Sequence, residues 1–294
     1  MKVLVFGSIN IDLLYSVDHI VKPGETISSS LFAKSAGGKG ANQAAALAKA
    51  GLPVYMAGKI GTDGKFILEL LESYGINTGR VIEYGGATGQ AIIQIDKNGQ
   101  NSIILYPGGN EEITIQEVQE TIAGFDPGDI IVLQNEIVHL KLIMEIAKKQ
   151  NMRICLNPSP FNEKITLLPL NLADWIFVNE IESSALAGLT PDTSPQDSLE
   201  KLTELYPSSE IILTAGKDGV FYGFGETRLK NDIVKVPVVD TTAAGDTFTG
   251  FFLTAREKNM PIQQSLSIAC KAASITVSKK GAMESIPFAD EVFE

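Results

Sequence analysis

The sequence predicts an α/β fold: a doubly wound, mostly parallel sheet flanked by helices, with a small antiparallel β-sheet lid. Three observations carry that expectation. Apolar runs of three to six residues recur along the chain, helical stretches of ten or more residues separate most of them, and an Asn-Gly turn joins two extended runs. Short buried strands alternating with helices require right-handed crossovers and a parallel sheet.

Val3–Phe6, an apolar run closed by Gly7, reads as the first buried strand. Residues 13–17 and 31–34 look extended, with Pro23-Gly24 as a turn between them. Residues 41–50 and 65–74 read as helices on either side of a strand at 54–57. Residues 88–96 and 100–106 flank Lys97-Asn98-Gly99, a strong hairpin signal. Further strands are expected at 130–133, 154–156, 175–178, 211–213 and 233–238, and further helices at 138–150, 196–206, 244–258 and 262–278. The four extended segments on either side of the first helix form the expected lid, the alternative being an edge extension of the main sheet. No linker or repeat interrupts the pattern, so one domain spanning 1–294 is expected, with lid segments within about 12–36 and 85–107.

Of 294 residues, 44% are hydrophobic and 20% charged, enough apolar material for a large core. The net charge of −11 makes a nucleic-acid backbone or an anionic membrane surface a poor partner. Cys155 and Cys270 are far apart in the chain, and with only His19 and His139 they build neither a disulfide framework nor a zinc site. They read as buried thiols in a reducing compartment. The opening residues are apolar for too few positions to make a signal segment, and no run approaches ~18 apolar residues. A soluble, cytoplasmic protein is expected.

The most informative stretch is Val239-Asp240-Thr241-Thr242-Ala243-Ala244-Gly245-Asp246-Thr247-Phe248. Small side chains let backbone N–H groups approach a ligand, and the first helical turn offers unpaired donors at a positive dipole end. Asp246 in that turn either complements the helix dipole or sits beside an anion cradle as a base for phosphoryl transfer. Gly37-Gly38-Lys39-Gly40-Ala41-Asn42-Gln43 opens another helix, with an ammonium and amides for hydroxyl or phosphate oxygens. It has neither Walker spacing nor a dinucleotide fingerprint. Asn10 and Asp12 follow the first strand and Glu136 follows the strand at 130–133, where α/β sheets bind ligands. As acceptors they suit a polyhydroxyl substrate, or each makes an ordinary loop hydrogen bond. Asn179 and Glu182 either cap a helix or order magnesium waters.

Together the Gly-Gly-Lys-Gly-Ala-Asn and Asp-Thr-Thr-Ala-Ala-Gly-Asp-Thr-Phe stretches resemble the two signature regions of the ribokinase-like carbohydrate kinase family. The resemblance continues through residues 7–12, Leu156-Asn157-Pro158, Asn179-x-x-Glu182 and Thr214-Ala215-Gly216-Lys217-Asp218-Gly219. It implies ATP-dependent phosphorylation of a primary hydroxyl on a small sugar, ribose by preference. Another sugar or a nucleoside is the alternative, and a binding protein without catalysis the more distant one. Asp246 is implied as the base, with the backbone of Ala243, Ala244 and Gly245 as the anion hole. Asn10, Asp12, Gly38, Lys39, Asn42 and Glu136 are implied on the sugar. Asn179, Thr214, Gly216 and Gly219 are implied along ATP, with Glu182 near Mg²⁺. Cys270 stands where such kinases often carry a polar nucleotide contact. A K⁺ site is implied at Asp240 and the carbonyls of Thr242, Thr276, Lys279 and Gly281, completed by Ser285. The same resemblance implies a homodimer formed lid to lid.

Overall fold

The structure is a computed structural model and describes residues 1–293. In chain order the first half contains β1 (Val3–Phe6), β2 (Asn10–Ser16), β3 (Leu31–Gly37), α1 (Lys39–Lys49), β4 (Val54–Gly61), α2 (Lys65–Ser73) and β5 (Asn77–Tyr84). β6 (Gly89–Ile95), β7 (Asn101–Tyr106), α3 (Ile115–Ile122), β8 (Ile130–Gln134) and α4 (Leu140–Lys149) follow. The second half contains β9 (Arg153–Asn157), β10 (Trp175–Asn179), α5 (Glu180–Leu186), α6 (Pro195–Leu205), β11 (Glu210–Thr214), β12 (Val220–Phe224) and β13 (Thr227–Asn231). It ends in α7 (Ala244–Glu257), α8 (Ile262–Val277) and the short α9 (Ala289–Phe293).

The main sheet runs β13-β12-β11-β10-β9-β8-β1-β4-β5. Strands β11 through β5 in that order are parallel, and only β12 and β13 join antiparallel. The doubly wound, mostly parallel reading therefore holds. Alternation along each strand divides the core in two. Val3 and Val5 face a layer built on α1, α2, α7 and α8, whereas Leu4 and Phe6 face one built on α3 to α6. From β1 the chain winds one way through β4 and β5, then the other way through β8 to β11. The crevice at the C-terminal ends of β1 and β8 is thus the switch point, where ligands bind in such sheets.

The small sheet, β3-β2-β6-β7, is separate from the main one. Its pairings β2–β3 and β6–β7 are antiparallel, but its central pairing β2–β6 is parallel. That corrects the wholly antiparallel expectation. β2 and β6 each leave the main sheet as the outgoing strand of a hairpin, so side by side they point the same way. A second correction concerns 233–238, where no strand forms. Pro237 has no N–H for a ladder, and Val238 and Val239 are exposed, with Val239 N–H donating to the Val277 carbonyl at the end of α8 rather than to a strand. The segment runs as extended loop from the edge strand β13 to α7.

Both cysteines are buried and free. Burial raises the Cys155 thiol far above its ordinary range. Among the described residues no helix is long and apolar enough to cross a membrane.

Candidate active site

α1 and α7 start side by side at the switch point and pack closely, Gly250 of α7 lying against the Ala46 backbone. Ala243, the residue before α7, adopts a left-handed conformation (φ 61°, ψ 6°). For a residue with a Cβ this costs about 1–2 kcal/mol, a strain of the kind that collects at functional sites. Its carbonyl accepts Thr247 N–H at 2.8 Å, and Ala244 N–H turns back to Thr241 at 3.3 Å. A Cβ built on Gly245 would meet nothing within 4 Å, so open space lies in front of that residue. Of the three residues expected to line the anion hole, Gly245 is the one that faces clear solvent.

Asp246 follows, buried in the first turn of α7. Its Oδ1 accepts from Gln43 Nε2 at 2.9 Å and its Oδ2 from Asn42 Nδ2 at 3.3 Å. Asn42 Oδ1 is buried without a partner among the described residues.

The residues implied on the sugar cluster around the start of α1 and the end of β1. Gly38 takes φ 92°, and a Cβ there would press on Ser8 O at 2.8 Å and Asn10 N at 2.9 Å. Only glycine lets the loop before α1 lie against the end of β1. Ser8 Oγ donates to Glu136 Oε2 and accepts Gly40 N–H at 3.2 Å, while Lys39 N–H also reaches Glu136 Oε2 at 3.2 Å. Asn10 Oδ1 accepts from Asn110 Nδ2 at 2.7 Å, and Ile9 N–H donates to Asn110 Oδ1 at 3.1 Å. Asp12 is pushed up to about 7, first by burial and then by the charges of Glu136 and Glu284. Burial is the largest influence on the Lys39 ammonium and lowers it. The charges of Asp246, Glu136 and Glu182 together outweigh that, and its pKa stands above the ordinary value. The arrangement holds acceptors, one ammonium and a buried carboxylate around a single crevice.

The residues implied along ATP lie at the ends of neighbouring strands. Asn179 and Thr214 are register partners closing β10 and β11. Gly219 takes φ 96°, with the Asn231 carbonyl where a Cβ would go, and its own carbonyl accepts Ala215 N–H at 2.8 Å. Gly216 sits exposed at the turn between them. Cys270 on α8 is buried beneath this wall, its thiol raised to about 11 by burial despite a hydrogen bond with Asn231. Asn179 and Glu182 form a reciprocal capping box on α5, so the capping reading describes what both side chains do here.

The residues implied for a cation are stitched to each other. Asp240 Oδ1 accepts Thr242 N–H at 2.9 Å and Thr242 Oγ1–H at 2.6 Å. Thr276 O accepts Lys279 N–H at 3.1 Å, and Ser285 Oγ donates to Ala282 O at 2.7 Å. Hydrogen bonding from Thr242 and Gly281 holds the Asp240 carboxyl below its usual range against the opposing effect of burial. Among the described residues no three His, Cys, Asp or Glu side chains gather as a metal cluster. The residues at Glu182 therefore fit Mg²⁺ only as an ion carried in by phosphates, with water and phosphate oxygens as most of its ligands.

Four residues near this site carry no role in the sequence reading: Ser8, Gln43, Asn110 and Gln134. Ser8 and Gln43 sit inside stretches already singled out, and Asn110 follows Gly108-Gly109, so position in a motif was the available signal.

A parallel sheet with a separate small sheet, and a buried carboxylate at a helix start beside polar acceptors, define a phosphotransferase of the carbohydrate-kinase type. The pfkB family carbohydrate kinase profile matches residues 1–289, and the chain belongs to that family. It is 36% identical to the ribokinase of Haemophilus influenzae over 99% of this chain and 96% of that one. The ribokinase of Cryptococcus neoformans in complex with ADP superposes with TM-score 0.89 at 32% identity, covering 99% of this chain and 98% of that one. The ribokinase of Arabidopsis thaliana complexed with ribose and ATP gives 0.88 at 31%, covering 99% and 97%.

Proposed function

We propose that this protein transfers the γ-phosphate of ATP to the primary hydroxyl of a small free sugar, D-ribose by preference, giving D-ribose 5-phosphate and ADP. The observation that carries the reading is Asp246, buried in the first turn of α7 next to the exposed Gly245, hydrogen-bonded to Asn42, and acting with Glu136 on the Lys39 ammonium. The relatives bearing the ribokinase name over the full chain support ribose.

Asp246 takes the hydroxyl proton as the sugar oxygen bonds to the γ-phosphorus, and the bond from that phosphorus to the β,γ-bridging oxygen breaks in line, releasing ADP. Gly245 N–H and the α7 N-terminus meet the charge on the transferring group. Asn10, Asp12, Glu136 and Asn42 Oδ1 accept sugar hydroxyls, and Lys39 donates to sugar or phosphate oxygen. Asn179, Thr214, Gly216 and Gly219 border the nucleotide, and Cys270 packs behind them. Mg²⁺, when bound, supplies charge neutralisation on the phosphate oxygens, with Glu182 the nearest candidate carboxylate. K⁺ belongs between the loops at 240–242 and 276–285, where Asp240, the carbonyls of Thr242, Thr276, Lys279 and Gly281, and Ser285 supply oxygen.

On this reading residues 1–294 work as one kinase domain whose lid, 12–36 and 85–107, closes over the sugar and excludes water. Leu31, Phe32, Ile103, Ile104, Leu105 and Tyr106 leave an exposed apolar surface on the lid, which supports lid-to-lid pairing in a homodimer. Buried free thiols suit a cytoplasmic setting. The test is ADP release over a panel of pentoses, deoxyribose, hexoses and nucleosides. The highest kcat/KM is expected for D-ribose, and a higher value for a nucleoside would replace this acceptor.

A further inference from the structure

Behind Asp246 lies a chain of side chains that touches neither the sugar side nor the nucleotide side of the crevice. Gln134, the last residue of β8, donates from Nε2 to Gln43 Oε1 at 2.6 Å, and Gln43 Nε2 donates to Asp246 Oδ1 at 2.9 Å. Both glutamines are fully buried, so water cannot substitute for either bond. The direction of the chain is forced. A carboxylate only accepts, so Gln43 must present its NH₂ to Asp246 and its carbonyl to Gln134, which must then present its own NH₂. Gln134 Oε1 is left without a partner among the described residues, which costs its desolvation. Gly7 lies where any larger residue would displace that amide, since a Cβ there would overlap Gln134 Oε1.

We infer that Gln43 and Gln134 form an amide relay that positions Asp246, tying down Oδ1 and leaving Oδ2 to receive the hydroxyl proton. Oδ2 has only the long Asn42 contact, at 3.3 Å, and so keeps lone-pair density for the acceptor. The relay also joins β8, α1 and α7, the three elements that meet at the base. Gln43 and Gln134 are positioning residues acting through Asp246, and the inference rests on Asp246 being the base.

Gln43→Leu is expected to lower kcat by about 10- to 100-fold, the scale of a lost hydrogen bond to a charged group, with the KM values for sugar and ATP little changed. Gln134→Leu should lower kcat less. The double variant should lose no more than Gln43→Leu alone, because a relay cut at its nearer link transmits nothing from the farther one. Gln43→Glu keeps the shape and sets a second carboxylate against Asp246, and two such groups share a proton. In that variant kcat should climb with pH over a range where the unmodified protein is flat. If Gln43→Leu fails to give a cooperative thermal transition, Gln43→Glu alone carries the test. Additive losses in the double variant, or a flat pH profile in Gln43→Glu, overturn the relay. Asp246→Asn assayed in parallel separates the two levels: if it is inactive while the glutamine variants behave normally, only the relay fails, and if it is active, the base assignment fails.

Discussion

Asp240 Oδ2 accepts the Gly281 N–H at 3.1 Å, which fastens the loop ahead of α7 to the loop that follows α8. Because Asp240 also holds Thr242, anything that strengthens or loosens this fastening moves the residues leading into Ala243 and Gly245. A weakly hydrated cation between the two loops would brace the same strand of backbone that the anion hole hangs from.

The first prediction is therefore a higher kcat/KM in K⁺ than in tetramethylammonium at matched ionic strength, with Asp240→Ala removing most of the difference. Initial rates in the two salts check it. Equal rates would leave Asp240 as a turn residue that needs no ion.

Replacing Asp246 by Asn should lower kcat by at least ~10²-fold, the low end for a positioned base, while sugar binding largely survives. Asn keeps the shape but cannot accept the proton. Steady-state kinetics together with calorimetric sugar binding separate the two effects.

Asp12 gives a pH dependence whose sign is fixed by its upward displacement to about 7. In the free site the carboxyl keeps its proton below that pH, and a protonated carboxyl is a poorer acceptor for sugar hydroxyls. KM for the sugar should rise as pH falls through 7 and level off above it, and Asp12→Asn should flatten that dependence. The same displacement works on stability in the opposite sense. Between the ordinary value of 3.8 and about 7 the folded state holds a proton that the unfolded state releases, so this residue's contribution falls as pH rises across that window.

At Gly250 a Cβ would lie 2.6 Å from Ala46 Cβ and 2.8 Å from the Ala46 carbonyl carbon. Gly250→Ala should destabilise by about 1–3 kcal/mol through overpacking and push α7 off α1. Since Asp246 meets Asn42 and Gln43 across that same contact, kcat should fall along with the urea midpoint. A destabilised variant with full kcat would show that the helices separate without disturbing the base.

The exposed side chains of β3 and β7 predict a dimeric mass by light scattering at micromolar concentration. Ile104→Glu, which puts a charge at the centre of that surface, should return the monomer. A monomeric mass for the unmodified protein would rule out the pairing.

How much of this was readable beforehand divides along physical lines. Buried parallel strands such as Val3–Phe6 announce themselves because both faces are apolar, and Asp246 stands out against the small residues around it. The edge strand β13 escaped, since Arg228 and Lys230 interrupt the apolar pattern that a half-exposed strand does not need. Residues 233–238 misled for the converse reason: their apolar alternation resembles a strand, but Pro237 and the lack of a neighbour deny it a ladder. The link from Gln134 to Gln43 was invisible because nothing local marks a glutamine at a strand end as the partner of a residue 91 positions earlier. Asp12 was visible as an acceptor, but its raised pKa depends first on burial and then on the charges of Glu136 and Glu284, all of which only folding supplies.

Asn42 and Gln43 stand 204 and 203 positions before Asp246, the carboxylate they hold. That spacing sets an order of assembly. A chain emerging from the ribosome completes β1, α1 and β8, with the groups proposed to grip the acceptor, long before the residue proposed to activate it has been made. A nascent or truncated polypeptide ending short of α7 therefore lacks the proposed base, whatever else it has folded. The proposed base is made after the residues proposed to grip the acceptor.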